Sequence, residues 1–468
     1  MSFTEFTQAE SLHRLVKLAI DSGTAGSVAE AQAMFAGYRI AFAIDSEAAR
    51  TTHQQAVLLT GIALARRVFL GGVAVQGALD VSLKAPLPLG KTLRDAAISL
   101  GATVEGSAAF TPLVTVGGPS SGRTDRFHIR TECAGWRGGV VPAHSESRLL
   151  DADAIGPASM LAAGLAVSEA FSYVSTQSQT AGKRGRGLSL WSPSLTTDWT
   201  APDPSEPELT YLPSRLWILG LGHLGQAYLW GLGLLEYPDP SELHLVLQDI
   251  DVITPSTEST SVLSEARLVG RKKTRAMAAW AESRGFCTAI HERLFEGSFR
   301  RQPSEPAVAL CGLDNALGRR CLDDVGFDLV VEAGLGRGYR DFRTIRLHSL
   351  PGSRTAAELW PATMHAGEDL TDRPAYARML EQGLLDQCGM TLLAGRAVGA
   401  PFVGAVAASL ALSEVLRLLH GGVLHQLVDL DLQSIEQRTV VRNPRDFHDL
   451  NPGFVIARRQ TTGAVEAS

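Results

Sequence analysis

The run Leu216-Trp-Ile-Leu-Gly220-Leu-Gly222-His-Leu-Gly225 sets an apolar strand directly against a glycine turn and the start of a helix. The glycines let the chain reverse tightly. They also let backbone N–H groups face a phosphate at the helix N-terminus. The expected setting is a parallel sheet whose strands end in such turns. Taken alone, the turn suits many nucleotides and dinucleotides, NAD among them. It is followed by Gln248-Asp249-Ile-Asp251, then Lys273, then Leu313-Asp314-Asn315, and far downstream by Gln387-Cys388-Gly389.

Around the turn, apolar runs alternate with helical patterns. Strands are expected at Arg215–Gly220, Leu243–Gln248, Ala307–Cys311 and Leu329–Glu332. Helices are expected at Leu224–Leu235, Arg271–Ser283, Ala316–Val325 and Val403–Leu419. Such alternation predicts an α/β fold with a mainly parallel, twisted sheet flanked by helices. The stretch from Leu350 to Ala400 shows no clear period and reads as a long irregular loop, a kind that is usually functional.

A second copy of this plan is expected upstream. Ala162-Ala-Gly-Leu-Ala-Val-Ser-Glu-Ala-Phe171 matches Ala407-Ala-Ser-Leu-Ala-Leu-Ser-Glu-Val-Leu416 at six of ten positions, offset by 245. The match is either chance between two Ala-rich helices or the trace of two related halves. Ser46–Ala65 reads as a helix and Arg67–Gly72 as strand and turn, with no acidic pair, lysine or Asp-Asn step following at comparable distances. The chain is therefore read as two tandem Rossmann-like domains, the first degenerate. The first spans 1–190, a Ser- and Pro-rich linker 191–212, the second 213–442 and a tail 443–468. At 468 residues there is ample core for both.

A net charge of −6 gives no electrostatic case for nucleic acid or an anionic membrane. The N-terminal residues lack a basic and an apolar region, so no signal peptide is expected. The longest nearly uncharged apolar run, Ala397–Leu412, is shorter than a membrane span. Five scattered cysteines with no Cys-x-x-Cys pair read as reduced thiols in a cytoplasm, without a structural zinc.

Each candidate residue has a chemical role and a plainer one. Asp249 and Asp251 end the second strand of the sheet, where an acidic side chain accepts hydrogen bonds from ribose hydroxyls, Asp249 being the better placed by register. A solvated acidic loop is the plainer role. Lys273 starts a helix, where it could neutralise triphosphate oxygens, or it is one of a basic run, Arg271-Lys272-Lys273, on a wet face. Asp314 follows a strand at the crevice where such sheets bind ligands and could hold Mg²⁺ on phosphates. Asn315 could touch the nucleotide or simply cap the next helix. Cys388 sits near a helix start, where a thiolate is favoured. Cys311 and Cys321 read as structural.

Together these residues resemble the ubiquitin-like-protein-activating enzymes, the ThiF/MoeB-like adenylation family. The shared pattern is the Gly220/Gly222/Gly225 turn, Asp249/Asp251, Val269-Gly270 with Lys273 at 24 residues beyond Asp249, and Asp314-Asn315. It covers roughly 213–442. The tandem halves look like the inactive and active adenylation domains of eukaryotic ubiquitin activators, and Asp386-Gln387-Cys388 resembles the cysteine segment of the autophagy-type enzyme. The compact length suggests a bacterial member, similar to activators of bacterial antiviral ubiquitin-like conjugation operons.

The resemblance implies ATP, Mg²⁺ on Asp314, and adenylation of a ubiquitin-like protein's C-terminal glycine. Lys273 and Asp314 would take part in that step. The nucleotide would be held by Gly220, Gly222, Gly225, Asp249, Asp251, Lys273, Asp314 and Asn315. Cys388, on a crossover loop at about 350–400, would take over the acyl group as a thioester for a ubiquitin-conjugating-like enzyme. A fused pair could act alone or pair again as a homodimer. One departure stands out. The family's Ser-Asn-x-x-Arg-Gln is here Ser256-Thr257-Glu258-Ser259-Thr260-Ser261, so an arginine is missing at Thr260. Arg267, Arg271 or Arg275, or Arg50 of the first half, are the candidates to replace it. Adenylation without thioester transfer, an NAD-dependent oxidoreductase and a non-catalytic scaffold are the alternatives.

Overall fold

The same sheet is built twice along the chain. The computed structural model describes residues 6–104, 112–118, 126–149, 152–176, 178–195, 198–362 and 370–457. Three short helices lead in: α1 (Gln8–Ser11), α2 (Val16–Asp21) and α3 (Val28–Ala36). The first sheet is made of β1 (Arg39–Ile44), β2 (Gly72–Gly77), β3 (Thr103–Val104), β4 (Leu113–Val116), β5 (His128–Ala134), β6 (Arg137–Pro142) and β7 (Arg186–Ser189). Within it, α4 (Thr52–Ala65) joins β1 to β2, α5 (Leu93–Ser99) joins β2 to β3, and α6 (Gly156–Val174) lies between β6 and β7.

A short strand β8 (Tyr211–Pro213) precedes the second sheet. Its strands are β9 (Arg215–Leu219), β10 (His244–Gln248), β11 (Cys287–His291), β12 (Val308–Cys311), β13 (Leu329–Leu335), β14 (Thr344–Leu350), β15 (His425–Asp431) and β16 (Thr439–Arg442). Its helices are α7 (His223–Gly233), α8 (Pro255–Glu258), α9 (Lys273–Ser283), α10 (Ala316–Arg319), α11 (Ala356–Leu359), α12 (Pro374–Glu381), α13 (Gln387–Ala394) and α14 (Pro401–Leu419). A last strand, β17 (Phe454–Ile456), pairs antiparallel with β8.

The first sheet runs β3-β2-β1-β4-β5-β6-β7 and the second β11-β10-β9-β12-β13-β14-β15-β16. Adding eight to each strand number turns one order into the other, with β16 as the extra strand. In both, the first five strands are parallel and the rest antiparallel. The tandem α/β organisation expected from the sequence is thus present, and the first half keeps the whole topology.

The repeated helices meet. Gly164 of α6 faces α14, where an added Cβ would lie 2.9 Å from Val406 Cγ2 and 3.3 Å from the Phe402 carbonyl. The repeat's two glutamates are both buried and do matching work. Glu169 accepts from the Gly182 amide (2.8 Å) and pairs with Arg186 (3.0 Å). Glu414 accepts from the His425 amide (3.0 Å) and pairs with Arg417. Each holds the segment entering the strand that follows its helix. Gly164→Leu is expected to destabilise the protein by about 1–3 kcal/mol through overpacking, read as a lower thermal midpoint.

Several sequence expectations are corrected. Arg67–Gly71 is a turn, not a strand: the Val68 and Phe69 amides donate to Ala65, finishing α4, and β2 starts at Gly72. The Ser46–Ala65 helix is broken into a 3-10 turn, Ala48–Arg50, and α4. Helix α10 stops at Arg319. The stretch 350–400 is not structureless, since α11, α12 and α13 lie in it, although 363–369 fall outside the described residues. The linker and tail are joined through β8 and β17, and the tail beyond 457 lies outside the described residues. Helix α14 is 19 residues and apolar enough to cross a membrane, but 89% of its apolar window is buried inside the protein.

Candidate functional site

Gly220 ends β9 with φ +79°, a conformation that disfavours any side chain. An added Cβ there would also meet the Gly312 carbonyl at 3.0 Å, so the loop after β12 lies against the turn. At Gly225 a Cβ would run into the Gly220 carbonyl. These two glycines allow strand and helix to close on each other. Gly222 differs: a Cβ there meets nothing within 4 Å. It is the N-cap of α7 and borders open space at a helix N-terminus.

Asp249 helps shape the turn. Its Oδ2 accepts from the Leu221 amide (2.7 Å) and its Oδ1 from the Asp251 amide (2.8 Å). Its side chain is nearly buried, whereas that of Asp251 is 62% exposed. Lys273, the first residue of α9, places Nζ 2.9 Å from Asp251 and 3.8 Å from Asp249. It therefore belongs to the cradle and not to the wet face of its helix. Lys272 instead donates to the Ile250 carbonyl.

Asp314 is exposed beyond the C-terminal end of β12. Asn315 uses its side chain as a cap, accepting from Gly318 N–H at 2.6 Å, which is its plainer role. Arg319, not singled out in the sequence, donates to the Leu313 carbonyl (2.8 Å) and pairs with buried Glu332 (3.0 Å). It fixes the backbone just ahead of Asp314.

An arginine of the N-terminal segment, Arg14, reaches the segment where the family arginine is missing. This residue lies between α1 and α2, its amide donating to Ser259 Oγ (3.1 Å) and its Nη2 to Ser256 Oγ (3.2 Å). Those serines directly precede Thr257 and Thr260. Burial pushes the Arg14 guanidinium down to about 10, with Arg396 adding to the shift and the Asp314 carboxylate opposing it, so it stays cationic at neutral pH. Its Nη1 is buried and has no hydrogen-bond partner among the described residues. Of the candidates named from sequence, Arg267 pairs with Glu265 and Arg275 with Glu292, while Arg271 is exposed ahead of α9 and Arg50 is exposed at the end of the 3-10 turn in the first half.

These features fit a nucleoside triphosphate. There is open space at a helix N-terminus, Lys273 stands on one side, and an unpaired guanidinium nitrogen is available from the other half. Asp314, an exposed carboxylate with no hydrogen bond among the described residues, fits a magnesium ion.

Cys388 lies outside this cradle. It is the second residue of α13, whose N-cap Asp386 accepts from Gly389 N–H at 2.7 Å, and it is the one exposed cysteine of the five. Helices α12 and α13 rest on the N-terminal helices. Tyr376 donates to Asp21 (2.7 Å), and Lys17 donates to the Ala394 carbonyl (3.2 Å) while paired with Asp21. Residues 6–36, given to the first domain by sequence, thus contact both the Ser256–Ser259 segment and the helices α12 and α13 of the second.

Residues 39–190 match the BilD N-terminal domain and residues 212–422 the BilD C-terminal domain. The bacterial E1-like protein BilD of Collimonas sp. (strain OK412) is 42% identical over 439 residues, 93% of this chain and 95% of the relative. The chain belongs to the BilD family. Among solved structures, E. coli MccB with ATP is similar at a TM-score of 0.33 and 12% identity, over 50% of this chain and 65% of MccB, just under two thirds of that protein. E. coli MccB with MccA-N7isoASN gives a TM-score of 0.33 and 13% identity over the same shares.

In this BilD-family chain the first half shows why its own cradle is closed. After β1, Asp45 stands where β9 leads into glycines. Its carboxylate accepts from the Glu47 (2.9 Å) and Ala48 (2.8 Å) amides and packs against Gly118. A fixed anion at that helix start repels a phosphate. Past β2, Asp80 and Arg94 pair at 2.5 Å, at the place in the first half that matches the Asp251–Lys273 pair in the second.

Proposed function

We propose that this protein uses ATP to activate the C-terminal carboxylate of a ubiquitin-like protein ending in glycine. A carboxylate oxygen attacks the α-phosphorus, pyrophosphate leaves, and an acyl-adenylate forms. The Cys388 thiolate then attacks the acyl carbon and displaces AMP, giving a thioester for transfer to a ubiquitin-conjugating-like enzyme. The proposed setting is a bacterial antiviral ubiquitin-like conjugation operon.

The observation that carries this reading is the pair of cations near the glycine turn: Lys273, beside the Asp249 that holds the Leu221 amide, and the Arg14 guanidinium, which feels the Asp314 carboxylate. Two cations from different halves suit a triphosphate whose charge shifts toward pyrophosphate as the bond breaks. Gly220 and Gly225 hold the turn, and Gly222 leaves room for the phosphate to approach backbone N–H groups. Asp249 organises the turn while keeping lone pairs for a ribose hydroxyl. Asp251 gives up Lys273 to the phosphates. Asp314 would hold the magnesium ion, which when bound neutralises phosphate charge.

The test is pyrophosphate exchange into ATP, with and without a small protein ending in glycine. Exchange that depends on that terminal glycine supports the reading, and its absence contradicts it. Arg14→Ala is expected to slow exchange by roughly ten- to a hundredfold, as expected for removal of a charge-assisted contact. Arg50→Ala, at the first-half arginine named as one candidate from sequence, is expected to leave it unchanged.

A further inference from the structure

Arg67 is a buried arginine of the first half with no carboxylate among its hydrogen-bond partners. All its hydrogen bonds go to carbonyls. Nη1 donates to Ala63 (2.6 Å), Nε to Glu258 (2.8 Å) and Nη2 to Ser264 (2.7 Å). The first carbonyl lies in the last turn of α4; the other two bracket the segment whose Ser259 receives the Arg14 amide. Burial pushes this guanidinium down to about 9. An apolar side chain would fill the volume at lower desolvation cost. What only a guanidinium offers here is three diverging donors that hold both halves in one arrangement.

From Ser264 the path continues to the nucleotide cradle. Gln226, fully buried in the first turn of α7, has Nε2 2.9 Å and Oε1 3.1 Å from Ser264 Oγ. The same amide accepts from Leu263 N–H (3.0 Å) and donates to the Leu221 carbonyl (3.1 Å). Leu221 is the residue between Gly220 and Gly222. In a trans peptide the carbonyl of one residue and the N–H of the next point in opposite directions. With the Leu221 carbonyl tied inward to Gln226, the Gly222 N–H is turned outward, to the open side of the turn.

We propose that Arg67 is a positioning residue for the nucleotide cradle: through Ser264 and Gln226 it sets the direction of the Gly222 N–H, so the half without its own site tunes the site of the other. This rests on the reading of the cradle as an ATP site. Arg67 touches no nucleotide, so its effect is on affinity through geometry.

The test is titration of the full chain with a fluorescent ATP analogue, beside thermal unfolding without nucleotide. Arg67→Lys is expected to weaken binding by about tenfold, the loss of one well-placed hydrogen bond. Arg343→Lys is the control for destabilisation, since Arg343 is equally buried but donates to Ser172 on α6, away from the cradle. It is expected to lower the unfolding midpoint while leaving affinity within twofold of wild type. Gln226→Met is expected to weaken binding as Arg67→Lys does, and the double variant to lose no more than the larger single loss, because both act along one path. Wild-type binding with unchanged affinity in Arg67→Lys overturns the positioning role alone. So do additive losses, or an Arg343→Lys loss of affinity equal to that of Arg67→Lys. A wild-type chain that does not bind the analogue overturns the ATP reading and this role together.

Discussion

Lys273→Ala is expected to lower pyrophosphate exchange by at least about a hundredfold, the scale of removing one preorganised charge from a transition state. Lys273 faces Asp249 and Asp251 at 3.8 and 2.9 Å, so its Nζ is already held over the cradle by two carboxylates. When the triphosphate arrives, only the Asp251 contact has to be exchanged for a phosphate oxygen. Removing the amine has a second effect of the same sign, because the two carboxylates are then left to repel the phosphates. Lys273→Arg is expected to rescue little, since a guanidinium can bind a carboxylate through two nitrogens and stay with Asp251. Exchange rates measured over a range of ATP concentrations separate the two effects. The loss of the cation in the transition state lowers the maximal rate, and the unmasked carboxylates raise the ATP concentration needed to reach it.

Cys388→Ala is expected to keep exchange near the wild-type rate and to abolish the thioester entirely. The residue is exposed at the start of α13, so its truncation costs within about 0.5 kcal/mol of stability. No other cysteine is placed to replace it. Cys133 and Cys311 are buried, and burial pushes both thiols up to about 12. Cys287 and Cys321 are half-buried, and their S–H groups donate to the Ser241 and Leu317 carbonyls at 3.3 and 3.4 Å. A reducible adduct that persists in Cys388→Ala would remove this residue from the pathway.

The parallel part of the second sheet was legible because its strands are buried runs followed by glycine or acidic turns. The antiparallel strands β14–β16 were not, since Thr344–Leu350 and His425–Asp431 carry charged and polar residues between apolar ones and lack a turn of the same kind. Helices α12 and α13 had signals, Pro374 at an N-terminus and Asp386 as a cap, yet each has eight residues and buries only two or three. Helices that short depend on docking, here onto α1 and α2, which no local pattern reports.

Within the site, the glycines, Asp249, Asp251 and Lys273 could be read because neighbouring strands bring them together in the order of the chain. Arg14 could not, because it meets Ser256 and Ser259 across 242 and 245 residues. The gap at Thr260 was the only trace of it. Gln226 was hidden for another reason: inside an apolar helix start, a buried amide has no spacing that marks it.

The most direct measurement is the intact mass of the chain after incubation with ATP, magnesium and a small ubiquitin-like protein ending in glycine. The account predicts one added modifier less one water, mapped to Cys388, released by dithiothreitol and absent from Lys273→Ala. An adduct on another residue, an adduct formed without ATP, or pyrophosphate exchange with no reducible adduct would contradict the proposed transfer from adenylate to Cys388.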